Sequence, residues 1–256
     1  TTKLTTMGYQ PEIIRYKVQG EYVNHGAPLI KRLQSTLFNS EMPLYAKKNL
    51  LINKLTHRSV NGIFAAFVKE NLPMYNAEFV DFDHLKQNTP PFDMFVTGSD
   101  QVWNPIIHGN KNDPGYFLDF VSEGKKRIAY APSMGVDKIP EDCKGDLKDY
   151  LVKFHALSIR EKSGAQIIKD CCGIDVPVVL DPTLLLTAKE WDKVAKKPQN
   201  LPDKYIFCYK FGKSETMDKT IKGISKKYNL PIVTAPSKPE VKFKADFTIG
   251  PAEFLG

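Results

Sequence analysis

FDMFVTGSDQVWNP, residues 92–105, is the stretch from which the rest of the chain can be placed. Phe92, Met94, Phe95 and Val96 make a short apolar run that ends at Thr97-Gly98 and meets a polar cluster, Ser99, Asp100 and Gln101, with an aromatic at Trp103. The pattern predicts a buried parallel strand opening into a loop. In an open α/β sheet, ligands bind outside the carboxyl ends of the strands, so side chains gathered just after such a strand are binding candidates. Gly98 allows a sharp turn or a close approach of the backbone to a ligand. The same residues allow a plainer reading, in which Asp100 caps a helix and Trp103 packs at a core edge.

Further along, the same junction recurs. Arg127 to Ala131 predicts a strand that ends in Pro132-Ser133-Met134-Gly135, and Ala156 to Ile159 predicts another with Arg160 at its end. Val176 to Leu180 predicts a fourth, closed by Asp181-Pro182-Thr183, where Asp181 is either a base or acceptor for a sugar hydroxyl or, the favoured reading, common Asp-Pro turn chemistry. Gly98, Ala131, Arg160 and Asp181 are therefore expected along one edge of a parallel sheet, facing one cleft. A helix is expected from about Glu161 through Ala165, Ile167 and Ile168 to Gly173, which sets its free amides and positive dipole end beside Arg160. Together they would make an anion site, because a guanidinium grips a carboxylate or phosphate through two parallel hydrogen bonds. The residues equally allow Arg160 to pair with Glu161 or Asp181 as structure.

The flanks complete an α/β reading. Leu4 to Met7 looks like a helix end stopped at Gly8 and followed by a strand at 12–16, while 28–71 reads as helical, with His25 and His57 as surface or packed groups. Residues 106–115, with His108, read as loop, and 141–153 as a polar helix with Leu147, Tyr150 and Leu151 on one face. Thr187 and Glu190 suggest a capping box, and KKPQNLPD at 196–203 a linker. Beyond it come a strand at 205–209, a helix opened by Ser214 and running to Tyr228, a strand at 230–235 and a helix start at 251–254. The expected organisation is one Rossmann-like domain over 1–195, the linker 196–203, and the beginning of a second Rossmann-like domain over 204–256.

Composition excludes little but excludes it firmly. A chain of 256 residues, 42% hydrophobic and 25% charged, is an ordinary globular protein and not a disordered one. No run approaches the roughly 18 apolar residues that span a bilayer, and the amino terminus has no signal-peptide core, so a cytoplasmic protein is expected. Cys143, Cys171, Cys172 and Cys208 show no C-x-x-C spacing and read as reduced thiols, with no metal site expected. The formal charge of +7 is spread through the helices, which argues against a nucleic-acid partner and for a solvated basic face or a field that draws anionic substrates. Walker loops, G-x-G-x-x-G and histidine pairs are absent, which leaves kinase, dehydrogenase and metallohydrolase readings without support.

GSDQVWNP at 98–105, YFLDF at 116–120, RIAYAPSMG at 127–135, LSIREKSGAQIIKD at 157–170 and VPVVLDPTLLL at 176–186 together resemble the polysaccharide pyruvyl transferase family, strongly over 92–212 and weakly beyond. The resemblance implies transfer of a pyruvyl group from phosphoenolpyruvate to sugar hydroxyls as a ketal, in cell-surface or exopolysaccharide biosynthesis, by two Rossmann-like domains of GT-B type. It implies that Arg160 lines the donor site, that Ser99, Asp100, Gln101 and Ser133 line the cleft, and that Trp103 stacks on a sugar ring or walls the pocket. No cofactor is implied beyond the donor; the partners would be phosphoenolpyruvate and a sugar or glycan-lipid acceptor, with peripheral membrane contact left open. The family's first strand and its Ser-Phe-His-Gly-like block, whose histidine is the expected general acid, have no counterpart here, so the sequence is expected to be truncated at both ends and inert alone, its catalytic residues unassigned. Two alternatives stand beside this: a GT-B glycosyltransferase using a nucleotide sugar, and a non-catalytic sugar-binding relative.

Overall fold

The computed structural model describes residues 1–17, 62–198, 201–210, 214–236 and 250–256. The helical reading over 28–61, with His25 and His57, lies outside these residues, while 62–71 is helical as expected. The chain divides into two compact units, Thr1–Gly26 with Pro73–Thr187, and Ala27–Leu72 with Ala188–Gly256. The fold is mixed α/β, with small parallel sheets among the described residues.

In the first unit, helix α1 (Thr2–Thr6) stops at Gly8 and leads to β1 (Ile13–Tyr16). β1 pairs in parallel with β2 (Met74–Phe79). This second strand was not anticipated, although its signal is present: Tyr75, Ala77 and Phe79 turn inward while Asn76 and Glu78 are exposed, the period-two pattern of a half-buried strand. Helix α2 (Phe82–Gln87) follows, with Asp81 accepting the His84 amide at 2.7 Å.

The second sheet of this unit carries the predicted junctions. β3 (Met94–Thr97), β4 (Lys126–Ala129) and β5 (Ala156–Leu157) lie side by side in that order, all parallel. Two expectations need correction. β3 is not buried on both faces: Phe95 and Thr97 are buried but Val96 is 41% exposed, because alternate side chains point to opposite faces and only one is covered. Val176–Leu180 is not a strand: it contributes one isolated bridge, Ile159 to Val178, with Leu180 exposed, so the apolar run reflects sequence composition without a ladder to hold it.

Helices α3 (Lys144–Leu151) and α4 (Lys162–Cys172) cover the sheet. Leu147, Leu151, Ile159 and Ile168 are essentially inaccessible and form one core with Trp103, Phe117 and Met134. A second cluster joins Phe79 and Leu85 to Phe95, Leu118 and Phe120. α4 ends as predicted, with Gly173 at φ 72 and its amide on the Lys169 carbonyl.

The second unit, described by itself, holds α5 (Ala188–Trp191), the parallel pair β6 (Ile206–Lys210) and β7 (Ile232–Pro236), α6 (Glu215–Tyr228) and α7 (Pro251–Leu255). Ser214 caps α6 by accepting the Met217 amide, as its position predicts. Phe254 packs edge-on against Phe207 and Tyr209.

Candidate functional site

β3, β4 and β5 run parallel and adjacent, so the residues that leave them emerge at one edge. Main-chain hydrogen bonds stitch the three exits together. The Ser133 amide donates to the Asp100 carbonyl at 2.7 Å, the Trp103 amide to the Ser133 carbonyl at 3.2 Å, and the Arg160 amide to the Pro132 carbonyl at 3.0 Å. Asp100 and Ala131 both sit in the left-handed region, at φ 50 and 52, a conformation that costs a non-glycine residue on the order of 1–3 kcal/mol. Two such residues at adjacent strand ends mark an edge whose shape is set against local preference.

Side chains add a second layer. Ser158 Oγ donates to the Ala129 carbonyl at 2.8 Å and accepts the Ala131 amide at 3.1 Å, holding β5 to the bend after β4. Glu161 reaches back from the start of α4, its Oε1 accepting the Met134 amide at 2.8 Å. Arg160 Nη1 donates to Asp181 Oδ2 at 3.0 Å, which selects Asp181 and not Glu161 as its partner among the described residues. Asp181 Oδ1 meanwhile accepts the Thr183 amide at 2.9 Å and the Thr183 hydroxyl at 2.7 Å. Burial pushes the Asp181 carboxyl up, but donation from Thr183, Arg160 and Ser99 outweighs it and brings the group down to about 2.

An open cavity of about 350 Å³ lies at this edge, lined by Ser133, Gly135, Val136, Arg160, Glu161 and Ser163 among others. Its polar wall combines one guanidinium, two hydroxyls and the amino end of α4, where the first amides have no helical acceptor, with the carboxylates of Asp137 and Glu161 also at its rim. The acidic Glu161 is occupied by the Met134 amide. A larger cavity of about 970 Å³ follows β1 and β3 and is walled mainly by apolar residues such as Ile13, Ile14, Phe92, Met94, Phe95 and Leu118, with Glu12, Asp93 and Lys126 as its charged lining.

Of the residues singled out in the sequence, Ser99, Asp100, Gln101, Ser133 and Arg160 gather at this edge. Ser133 is almost fully buried yet borders the cavity, and Gln101 is spent on a neighbour, its Oε1 accepting Asn104 Nδ2 at 2.7 Å. Trp103 is corrected. Its ring is 1% exposed, stacked on Phe117 at 4.9 Å with Nε1 donating to the Tyr116 carbonyl, so it forms core and offers no face to a sugar. His108 likewise points inward, its Nε2 at 3.2 Å from the Val102 carbonyl. Val136, Asp137, Glu161 and Ser163 were not singled out as lining residues; the S-x-R-E block already set Glu161 beside Arg160, with Ser163 two residues further on. Among the described residues there is no group of His, Cys, Asp and Glu that could hold a metal, and no helix long and apolar enough to cross a membrane.

A family model described as polysaccharide pyruvyl transferase matches residues 8–252. No curated protein and no solved structure matches the chain.

Proposed function

The chain belongs to the polysaccharide pyruvyl transferase family, and we propose that it acts on phosphoenolpyruvate, moving the pyruvyl group onto sugar hydroxyls as a ketal during cell-surface or exopolysaccharide synthesis. The observation that carries this reading is Arg160 at a strand end, lining an open polar cavity with only Nη1 engaged by Asp181 among the described residues. Nε and Nη2 remain as a planar fork suited to a carboxylate or phosphate. Ser133, Ser163 and the amino end of α4 supply neutral donors beside it.

In this reading, protonation of the donor's methylene carbon leaves an oxocarbenium centre. One sugar hydroxyl adds to the adjacent, phosphate-bearing carbon and gives up its proton, phosphate departs from that carbon with the C–O bond electrons, and a second hydroxyl adds to the same carbon, losing its proton, to close the ketal. What this edge contributes is charge and placement: it holds the donor's anionic groups in a fixed orientation where water would otherwise reorganise around them. We read the two α/β units as the Rossmann-like halves of a GT-B arrangement, working in the cytoplasm on a sugar or glycan-lipid acceptor with no cofactor beyond the donor.

The test is calorimetric titration of phosphoenolpyruvate into the chain, beside uridine diphosphate glucose and guanosine diphosphate mannose. Heat with phosphoenolpyruvate alone is the expected result. Binding of a nucleotide sugar in its place would overturn the reading and favour a glycosyltransferase.

A further inference from the structure

Asp181 does more than its turn requires. To close the turn into Pro182 and Thr183, one oxygen suffices, and Oδ1 takes both Thr183 donors. Oδ2 faces the other way, onto Arg160 Nη1 at 3.0 Å. An ionised carboxylate has about four lone-pair sites, and here the two Thr183 donors of its own turn and the Arg160 guanidinium from the end of β5 occupy three of them. Its charge is therefore spent inside the protein and not turned on the cavity. The main chain of Arg160 is fixed independently by the Pro132 carbonyl, so Asp181 controls only the direction of the guanidinium.

We infer that Asp181 is a positioning residue: it pins one nitrogen of Arg160 so that the remaining two-nitrogen edge meets the oxyanion of a phosphoenolpyruvate-like donor, while its other oxygen, held by Thr183, anchors the carboxylate in its own turn. The inference rests on the donor reading above. Pinning matters because a freely turning arginine loses rotamer freedom on binding, and a fixed one has already lost it.

Asp181→Asn separates this role from the turn. The amide can still accept from Thr183, but its NH2 then meets the Nη1 donor of Arg160, donor against donor, and the grip is lost. Titration of phosphoenolpyruvate into the whole chain should show affinity falling roughly three- to ten-fold in Asp181→Asn, and no further fall when Asp181→Asn is added to Arg160→Ala. Additive losses in the double variant would mean that Asp181 acts on its own, and equal or tighter binding in Asp181→Asn would mean that it competes with the donor; either overturns the inference. A second measurement does not depend on folding of a variant or on the donor. In the wild-type chain, nitrogen NMR should resolve the Arg160 Nη1 and Nη2 signals separately, as slow rotation demands, and an averaged signal would refute the grip. If the wild type takes up no phosphoenolpyruvate, the donor reading fails while the NMR result still decides whether Asp181 holds Arg160.

Discussion

A β-carbon on Gly98 would collide with the carbonyl oxygen of Tyr130, so the first residue beyond β3 leaves no room for a side chain beside the residue that leaves β4. Gly98 also has φ 119, which only glycine adopts readily. This contact is what brings the Ser99–Asp100 loop and the Ala131–Ser133 bend close enough for the Ser133 amide to reach the Asp100 carbonyl. Gly98→Ala should force the two loops apart. With strain and collision together costing at least about 2 kcal/mol, the melting temperature should fall by roughly 4 °C or more. A melt within a degree or so of wild type would mean that the edge is softer than this packing implies.

Trp103 is a core residue, so its replacement should be read in stability. Trp103→Ala should cost about 3–5 kcal/mol in urea unfolding. Trp103→Phe keeps an aromatic partner for Phe117 and should fold with donor and sugar affinities near wild type. Loss of sugar binding in a Trp103→Phe protein of undiminished stability would return the ring to the cleft.

Tyr16 on β1 donates its hydroxyl to Asp113 at 2.9 Å, and Asp113, almost fully buried, also takes the Gly115 amide at 2.8 Å. Burial and the neighbouring Asp113 push the Tyr16 hydroxyl well above its usual range, so it stays protonated. Tyr16→Phe removes one donor from a buried carboxylate and should destabilise by about 1–3 kcal/mol. Chemical denaturation of the single variant checks this, and a neutral result would show that water replaces the phenol.

The depressed pKa of Asp181 makes a statement about pH. A carboxyl whose folded-state pKa lies below its unfolded value stabilises the fold fully above the unfolded value, and that contribution is lost as pH falls through the folded one. For Asp181 the window runs from its ordinary 3.8 down to about 2. Wild type should therefore exceed Asp181→Asn by about 1–2 kcal/mol near pH 6, with partial exposure discounted. The gap should narrow as pH falls below about 4. Urea unfolding of both proteins near pH 6 and near pH 3 gives the comparison; a gap that stays constant would assign the low pKa to some other group.

Arg160 distinguishes charge from shape. Arg160→Lys keeps the positive charge but not the planar fork, and loss of a hydrogen bond to a charged group costs about 1.5–3 kcal/mol, or roughly ten- to a hundred-fold in donor affinity. Arg160→Ala should lose at least as much. Titration of phosphoenolpyruvate into each, with a thermal melt alongside, reads both effects. Unchanged donor binding in the alanine variant would leave the Asp181 pair as structure alone.

Short-range chemistry was legible in the amino-acid order. The stop at Gly173, the cap at Ser214, the helix face of Leu147 and Leu151, and the apolar runs that became β3, β4 and β5 all depend on neighbours within a few positions, and each forms its element where it was read. β2 was legible too, in the alternation of Tyr75, Ala77 and Phe79, but a six-residue strand bounded by weak turn signals is easily passed over. Val176–Leu180 had strand composition, yet a strand exists only where a partner's main chain meets it, and only Val178 finds one, at Ile159.

What order alone could not decide is where a side chain points once the chain has left a strand. Asp100 and Ala131 both turn through the left-handed region, and those turns send Trp103 inward onto Phe117 while Ser133 stays at the cavity. Arg160 had two candidate partners of equal sequence merit; Asp181 holds it because the bridge between Ile159 and Val178 brings that distant segment alongside, while Glu161 is drawn off to Met134. Local sequence therefore determined which residues end the strands. The tertiary structure decided which of them face the cavity, because that direction depends on contacts between segments far apart in the chain.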